Sequence, residues 1–161
     1  MTDSNNFTKA MEFVAKWEAG FADLKGDPGG KTKFGISDAG DGTIDGMIDL
    51  DRDGKGDVKV AELTLPEALE IYYKFYWLAS GCEKLELPLS VVVFDTAVNC
   101  GVSRAKRWLK ETQDPKTFIG IRKLYYYSLK PRPGFDPKKF IKGWLNRLLD
   151  LDKFVHILAT P

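Results

Sequence analysis

Apolar side chains recur at steps of three and four from near the start of the chain. Phe7, Ala10, Met11, Val14, Trp17 and Phe21 fall on one face of a helix. Ser4 or Asn5 is placed to cap its first turn, and Gly20 to end it in the left-handed conformation, which leaves Glu18 in the last turn. A short strand is expected at Lys33 to Ile36, and the Gly- and Asp-rich segment from Asp38 to Met47 has no period and reads as loop. Thr64-Leu65-Pro66-Glu67 has the form of a capping box. The helix it opens carries Ala68, Ile71, Tyr72, Phe75, Tyr76 and Leu78 and stops near Gly81.

Pro88 and Ser90 open the next helix, Val91 to Asn99, which is apolar enough to be the buried central one and is ended by Gly101. Asp95 and Asn99, four apart on one face of it, form a polar pair that must find partners. A short basic helix runs from Ser103 through Trp108 and Leu109. Asp114-Pro115 caps another, with Phe118, Ile121, Leu124 and Tyr125 expected inward. After a turn at Pro131 to Gly134, Asp136-Pro137 starts the last helix, with Phe140, Ile141, Trp144, Leu145 and Leu148 on its apolar face. The pattern predicts a mainly α fold with a small β region, without linker or internal repeat.

Composition changes this picture little, since 161 residues, 43% hydrophobic and 29% charged, make one domain able to bury a core. No run approaches the roughly 18 apolar residues that span a bilayer. The Met1-Thr-Asp-Ser-Asn-Asn start has no signal pattern, so cytoplasmic synthesis is expected. In that compartment Cys82 and Cys100 are thiols, although their number allows one bridge. His156, the single histidine, lies in an apolar stretch near the C-terminus and reads as structural. With the single histidine so placed a cysteine nucleophile is not expected, and one histidine cannot build a histidine-based zinc site.

Charge changes it more. Asp38 to Glu62 holds eight acidic residues against three basic, while Ser103 to Lys153 holds fourteen basic against five acidic. An acidic loop implies a cation, and a basic half implies an anionic partner such as a cell-envelope polymer, unless it is a solvated face. Within the loop, Asp49, Asp51, Asp53, the carbonyl of Lys55 and Asp57 follow the front half of an EF-hand calcium loop, with Gly54 at the sharp turn. The twelfth position is Val60, so Glu62 would have to reach in. A second register starting at Asp51 puts Glu62 twelfth but Lys55 where an acid belongs.

Candidate chemistry lies earlier. Glu18, at the negative end of a helix beside the Trp17 indole, is placed where the ionised form is disfavoured. Asp27, nine positions on in a Pro-Gly-Gly turn, is placed where a carboxylate stays charged. Two acids in opposed environments are the pattern of a glycosidase pair.

Glu18-Ala19-Gly20 followed by Asp27-Pro28-Gly29-Gly30-x-Thr32-x-Phe34-Gly35-Ile36-Ser37 resembles the signature of glycoside hydrolase family 108, N-acetylmuramidases found as phage endolysins and secretion-activator proteins. The resemblance continues through Tyr76-Trp77, Phe94 to Gly101, and Phe140 to Arg147. It implies a lysozyme-like helical fold that cuts peptidoglycan between N-acetylmuramic acid and N-acetylglucosamine. Glu18 would be the catalytic acid, with Asp27 and Thr32 positioning water. The Asp-to-Thr spacing is one residue shorter than in the phage-type lysozymes.

The resemblance places a catalytic lobe at 1–87, with the calcium loop inserted at about 38–62, and a peptidoglycan-binding-like helical lobe at 88–161. Lys110 and the compact run from Asp114 to Gly120 depart from the family there. Trp17, Tyr76 and Asn99 are candidates for substrate contact, against a plain core role for the aromatics and a helix-end role for the asparagine. Calcium would be structural, and no cofactor is expected for catalysis. The expected partner is peptidoglycan, not nucleic acid, reached as a monomer after holin-like release. The rival readings are a non-catalytic wall-binding protein and a calcium-responsive interaction module; a lytic transglycosylase would use the same acid.

Overall fold

A computed structural model describes residues 2–18, 32–42 and 44–160. The protein is mainly helical, with six α-helices and two small antiparallel sheets among these residues. Helix α1 spans Thr2–Trp17, earlier at its start than a cap at Ser4 or Asn5 would place it. Gly20, expected to end it, lies outside the described residues. The predicted strand at Lys33 to Ile36 is instead a hairpin. Strands β1 (Thr32–Lys33) and β2 (Ile36–Ser37) pair in the register Thr32 with Ser37 and Lys33 with Ile36. Strands β3 (Met47–Ile48) and β4 (Val58–Lys59) pair likewise and bracket the acidic loop.

Helix α2 (Leu65–Tyr72) starts at the capping box read from the sequence. Thr64 N–H donates to Glu67 Oε2 at 2.8 Å, and Glu67 N–H to Thr64 Oγ1 at 3.4 Å. It runs on as a π-helical segment, Tyr73–Leu78, and Gly81 turns the chain at φ 81°. Four helices follow: α3 (Leu89–Cys100), α4 (Val102–Glu111), α5 (Pro115–Ser128) and α6 (Ile141–Ala159). Asp114 caps α5 through the N–H of Thr117 at 2.8 Å, and Gly101 separates α3 from α4 at φ 94°. Among the described residues no helix is long and apolar enough to cross a membrane.

The chain forms two compact units, one of Val14–Phe75 and one of Met1–Phe13 with Tyr76–Pro161. In the second, α3 is buried on all sides, as its run of Val91, Val92, Val93, Phe94 and Ala97 requires. It packs on α4, α5 and α6. Phe7, Trp77 and Phe94 meet edge to face with ring centroids 5.5–5.7 Å apart, so Trp77 is core. Each such pair contributes about 0.5–1.5 kcal/mol beyond its area burial. Cys82 and Cys100 are buried free thiols, and His156 is exposed on α6.

The polar residue of α3 sets the facing of the helices around it. Asp95 is fully buried and accepts from Arg122 Nη1 at 2.6 Å and from Arg147 Nη2 and Nε at 2.6 and 3.0 Å. Arg122 therefore points inward, and α5 buries Phe118, Ile119, Arg122 and Tyr126 while Leu124, expected inward, is 71% exposed. On α6 the buried set is Arg147, Leu148, Leu151 and Val155, and Phe140 and Trp144 lie nearer the surface than their spacing implied.

Burial alone would raise the Asp95 pKa; the charges of Arg122 and then Arg147 outweigh it and hold the carboxyl below the ordinary aspartate range. A depressed folded pKa stabilises above the unfolded value, near pH 4, and that stabilisation is lost as pH falls through the folded value. Asp95→Asn leaves two guanidinium groups without their carboxylate and is expected to cost about 3–5 kcal/mol. Urea midpoints at pH 7 and pH 3 check this: the difference between wild type and variant should be large at pH 7 and shrink at pH 3.

Candidate active site

The turn joining β1 to β2 consists of Phe34 and Gly35, with φ of 53° and 75°. Two successive left-handed residues give the mirror-image turn whose twist suits a two-residue hairpin. Glycine adopts it at no steric cost, and phenylalanine does not. Phe34 is held there by burial and by its carbonyl, which accepts a hydrogen bond from Tyr72 Oη at 3.0 Å.

Gly35 is the point where three distant segments meet. A Cβ built on it would stand 2.5 Å from Tyr72 Oη and 3.0 Å from both Cβ and Oε2 of Glu18. The position admits a hydrogen and nothing larger. Glu18 follows the last residue of α1, and its N–H still bonds the carbonyl of Val14 at 3.0 Å. Its carboxyl is thereby carried at the C-terminal end of α1 onto the backbone of the hairpin turn. Sequence reading singled out Glu18 but took Tyr72 as one more residue of an apolar helix face. Nothing in the spacing of α2 distinguishes its hydroxyl.

Thr32 is exposed at the start of β1, opposite Ser37. Asp27 lies outside the described residues. Trp17 and Tyr76 are half-buried. Asn99 lies near the end of α3, where its Oδ1 accepts from the Tyr126 hydroxyl.

The acidic loop between β3 and β4 is organised around Asp49, which is 6% exposed. Its Oδ1 accepts the N–H groups of Arg52 at 2.5 Å and Asp53 at 3.2 Å, and its Oδ2 that of Gly54 at 2.7 Å. Burial would raise its pKa, but backbone N–H groups, Gly54 foremost, hold it below the ordinary range. Arg52 and Gly54 both have positive φ, 64° and 94°. Asp49, Asp51 and Asp57 each offer a carboxylate oxygen within 4.8 Å of the others. Asp57 Oδ2 also accepts from Leu50 N–H at 2.7 Å. Asp53 turns to Lys55, its Oδ1 taking that residue's N–H at 2.9 Å, and Glu62 stands 3.9 Å from Lys59 Nζ. Arg52 anchors the loop through the Gly40 carbonyl at 2.7 Å and the Phe75 ring at 4.6 Å.

Neither a curated protein nor a solved structure matches the chain. The family model Glycosyl hydrolase 108 matches residues 11–101, a stretch that runs from within α1 to the end of α3 and contains Glu18, Gly35, Tyr72 and the acidic loop. More than half of the chain is covered, and the chain belongs to the glycosyl hydrolase 108 family.

Proposed function

We propose that the protein is a lysozyme-like muramidase that hydrolyses the glycan strands of peptidoglycan, with Glu18 as general acid. The observation that carries this reading is the seating of the Glu18 carboxyl against Gly35 and Tyr72, within the stretch matched to a glycosyl hydrolase family. In the proposed reaction Glu18 gives its proton to the glycosidic oxygen as the bond to C1 breaks. Water, held by Thr32 and deprotonated by the Asp27 carboxylate, supplies hydroxide to C1. Tyr72 is a positioning residue: its hydroxyl, fixed on the Phe34 carbonyl, closes one side of the space that Glu18 occupies. Trp17 and Tyr76 are proposed to offer ring faces to sugars, and release to the cell wall is proposed to be holin-like.

Glu18→Gln should lower cleavage of purified peptidoglycan at least a hundredfold while leaving the circular dichroism spectrum unchanged. Unchanged clearing would favour the non-catalytic wall-binding alternative. Mass analysis of the digest should show hydrolysed muramic ends; anhydro ends would assign a lytic transglycosylase instead. The anomer released first reports the geometry, since carboxyls about 6.5–9.5 Å apart invert and carboxyls about 5 Å apart retain.

Gly35→Ala tests the seating itself. The added methyl meets Tyr72 Oη and Glu18 and requires a left-handed alanine, so activity should fall by at least tenfold. Tyr72→Phe, which removes the clashing oxygen, should recover part of it in the double variant.

The acidic loop is proposed to hold a structural Ca2+ through Asp49, Asp51 and Asp57. Their hard oxygens suit that ion, and the N–H groups gathered by Asp49 come from the fourth to sixth positions of the register that starts there. Bound calcium would tie β3 to β4 and take no part in the chemistry. At a hundredfold excess over Kd, calcium should stabilise the fold by about 2.7 kcal/mol, roughly 5–10 °C in Tm, reversed by chelator and absent in Asp51→Asn. A melting curve indifferent to calcium would remove the proposal.

A further inference from the structure

The outer sides of α5 and α6 meet along a groove of about 360 Å3 that lies wholly within the unit containing α3 to α6 and beyond the family-matched residues. Ile119 of α5 and Leu145 and Leu148 of α6 give it an apolar lining. Beside the groove, large apolar side chains stand in solvent. Leu124 and Tyr127 on α5 are 71% and 56% exposed, and Leu149 and Ile157 on α6 are 56% and 69% exposed. The Tyr127 ring meets no other ring, and its hydroxyl has no hydrogen-bond partner among the described residues. Such residues need no explanation when scattered singly, but four on adjoining stripes of two packed helices form a patch.

Their exposure is built in by the buried ion pairs. Arg122, two positions before Leu124, and Arg147, two positions before Leu149, are both held inward by the Asp95 carboxylate. Residues two apart on an α-helix point about 200° away from each other. Anchoring the two arginines therefore turns both leucines outward, and neither helix can rotate to bury them without breaking a pair at Asp95.

Cations flank the patch. Lys116 and Lys123 lie along the stripe of α5 that carries Tyr127, and Lys142 and Lys153 along the stripe of α6 that carries Leu149. All four are exposed, and among the described residues none stands within ion-pairing distance of a carboxylate. Against them the groove holds one acid, the half-buried Asp152.

This charge pattern selects the occupant. A second copy laid on the same face would set lysines against lysines. A planar anionic surface supplies a countercharge to all four at once. Lysine stems can lie along apolar surface with their ammonium groups at the level of lipid phosphates, while leucines enter the acyl boundary and a tyrosine sits among headgroups. Contact of this kind is peripheral, in keeping with the lack of a membrane-crossing helix among the described residues.

We infer that the α5–α6 face docks the protein on the surface of an anionic phospholipid bilayer. Leu124, Tyr127 and Leu149 enter the boundary between headgroups and acyl chains, and Lys116, Lys123, Lys142 and Lys153 meet the phosphates. The inference does not rest on the muramidase reading, since no residue of the face belongs to the site around Glu18.

Co-sedimentation of the intact protein with vesicles tests this. Vesicles of equal parts phosphatidylglycerol and phosphatidylcholine should bind it at least tenfold more tightly than phosphatidylcholine alone, and the preference should vanish at about 1 M salt, where the screening length is about 3 Å. Leu124→Asn combined with Leu149→Asn should weaken binding at least fivefold at unchanged net charge, and Lys123→Gln combined with Lys153→Gln at least fivefold with the exposed leucines and Tyr127 kept. All four positions are exposed, so unchanged circular dichroism is expected of both variants. The native thiols are buried, so a polarity-sensitive dye can be placed by Leu124→Cys or, on α4, by Ser103→Cys. The first should shift to the blue on anionic vesicles and the second should not. Equal binding to neutral and anionic vesicles would overturn the inference. So would binding that the lysine pair weakens and the leucine pair does not, which would leave a basic surface without a docking face. A concentration-dependent dimer in sedimentation velocity, lost in Leu149→Asn and unaccompanied by vesicle binding, would give the face to a second copy instead.

Discussion

Position 35 has no room for a side chain, and the unit around it is arranged by that fact. The end of α1, the β1–β2 hairpin and the end of α2 come from three separate stretches of sequence, yet Glu18, Phe34-Gly35 and Tyr72 share one small volume. A carboxylate pressed onto a backbone turn is fixed in direction by what surrounds it. The left-handed Phe34 is the strain that accompanies this arrangement, and residues held in sparsely populated backbone conformations gather at sites of chemistry.

The second unit is governed by charge. Asp95 sits in the middle of the most apolar helix of the chain, where an isolated carboxylate would be very costly, and two arginines from α5 and α6 converge on it. Their demand for inward positions rotates both helices, leaving Leu124 in solvent and bringing Trp144 and Phe140 towards the surface. The mutual stacking of Tyr126, Trp144, Phe140 and Phe135 is thus a by-product of how a buried acid is satisfied.

Much of this was legible in the sequence, for reasons that differ between residues. Capping signals are local, so Thr64-Glu67, Asp114-Pro115 and the stops at Gly81 and Gly101 fall where they were read. The need of Asp95 for partners was evident from its apolar surroundings, but which residues would supply them was not, because Arg122 and Arg147 lie 27 and 52 positions away. The faces of α5 and α6 were misjudged for the same reason: periodicity counts apolar side chains and assigns a buried arginine to solvent. The hairpin was mistaken for a strand because four residues of alternating character fit either form, and only the positive φ of Phe34 and Gly35 separates them. Glu18 drew attention through motif and helix end together, while Tyr72 gave no local sign.

The family match stops at Gly101, one residue past α3, while both counter-charges of Asp95 come from beyond it. A chain severed at that boundary would carry an orphaned acid at the heart of its most hydrophobic segment. The matched stretch is therefore not a cassette that can be transplanted by itself. Any relative that exchanges its tail for another must either import cations to the same two places or surrender the aspartate, so those three positions are bound to drift together or not at all.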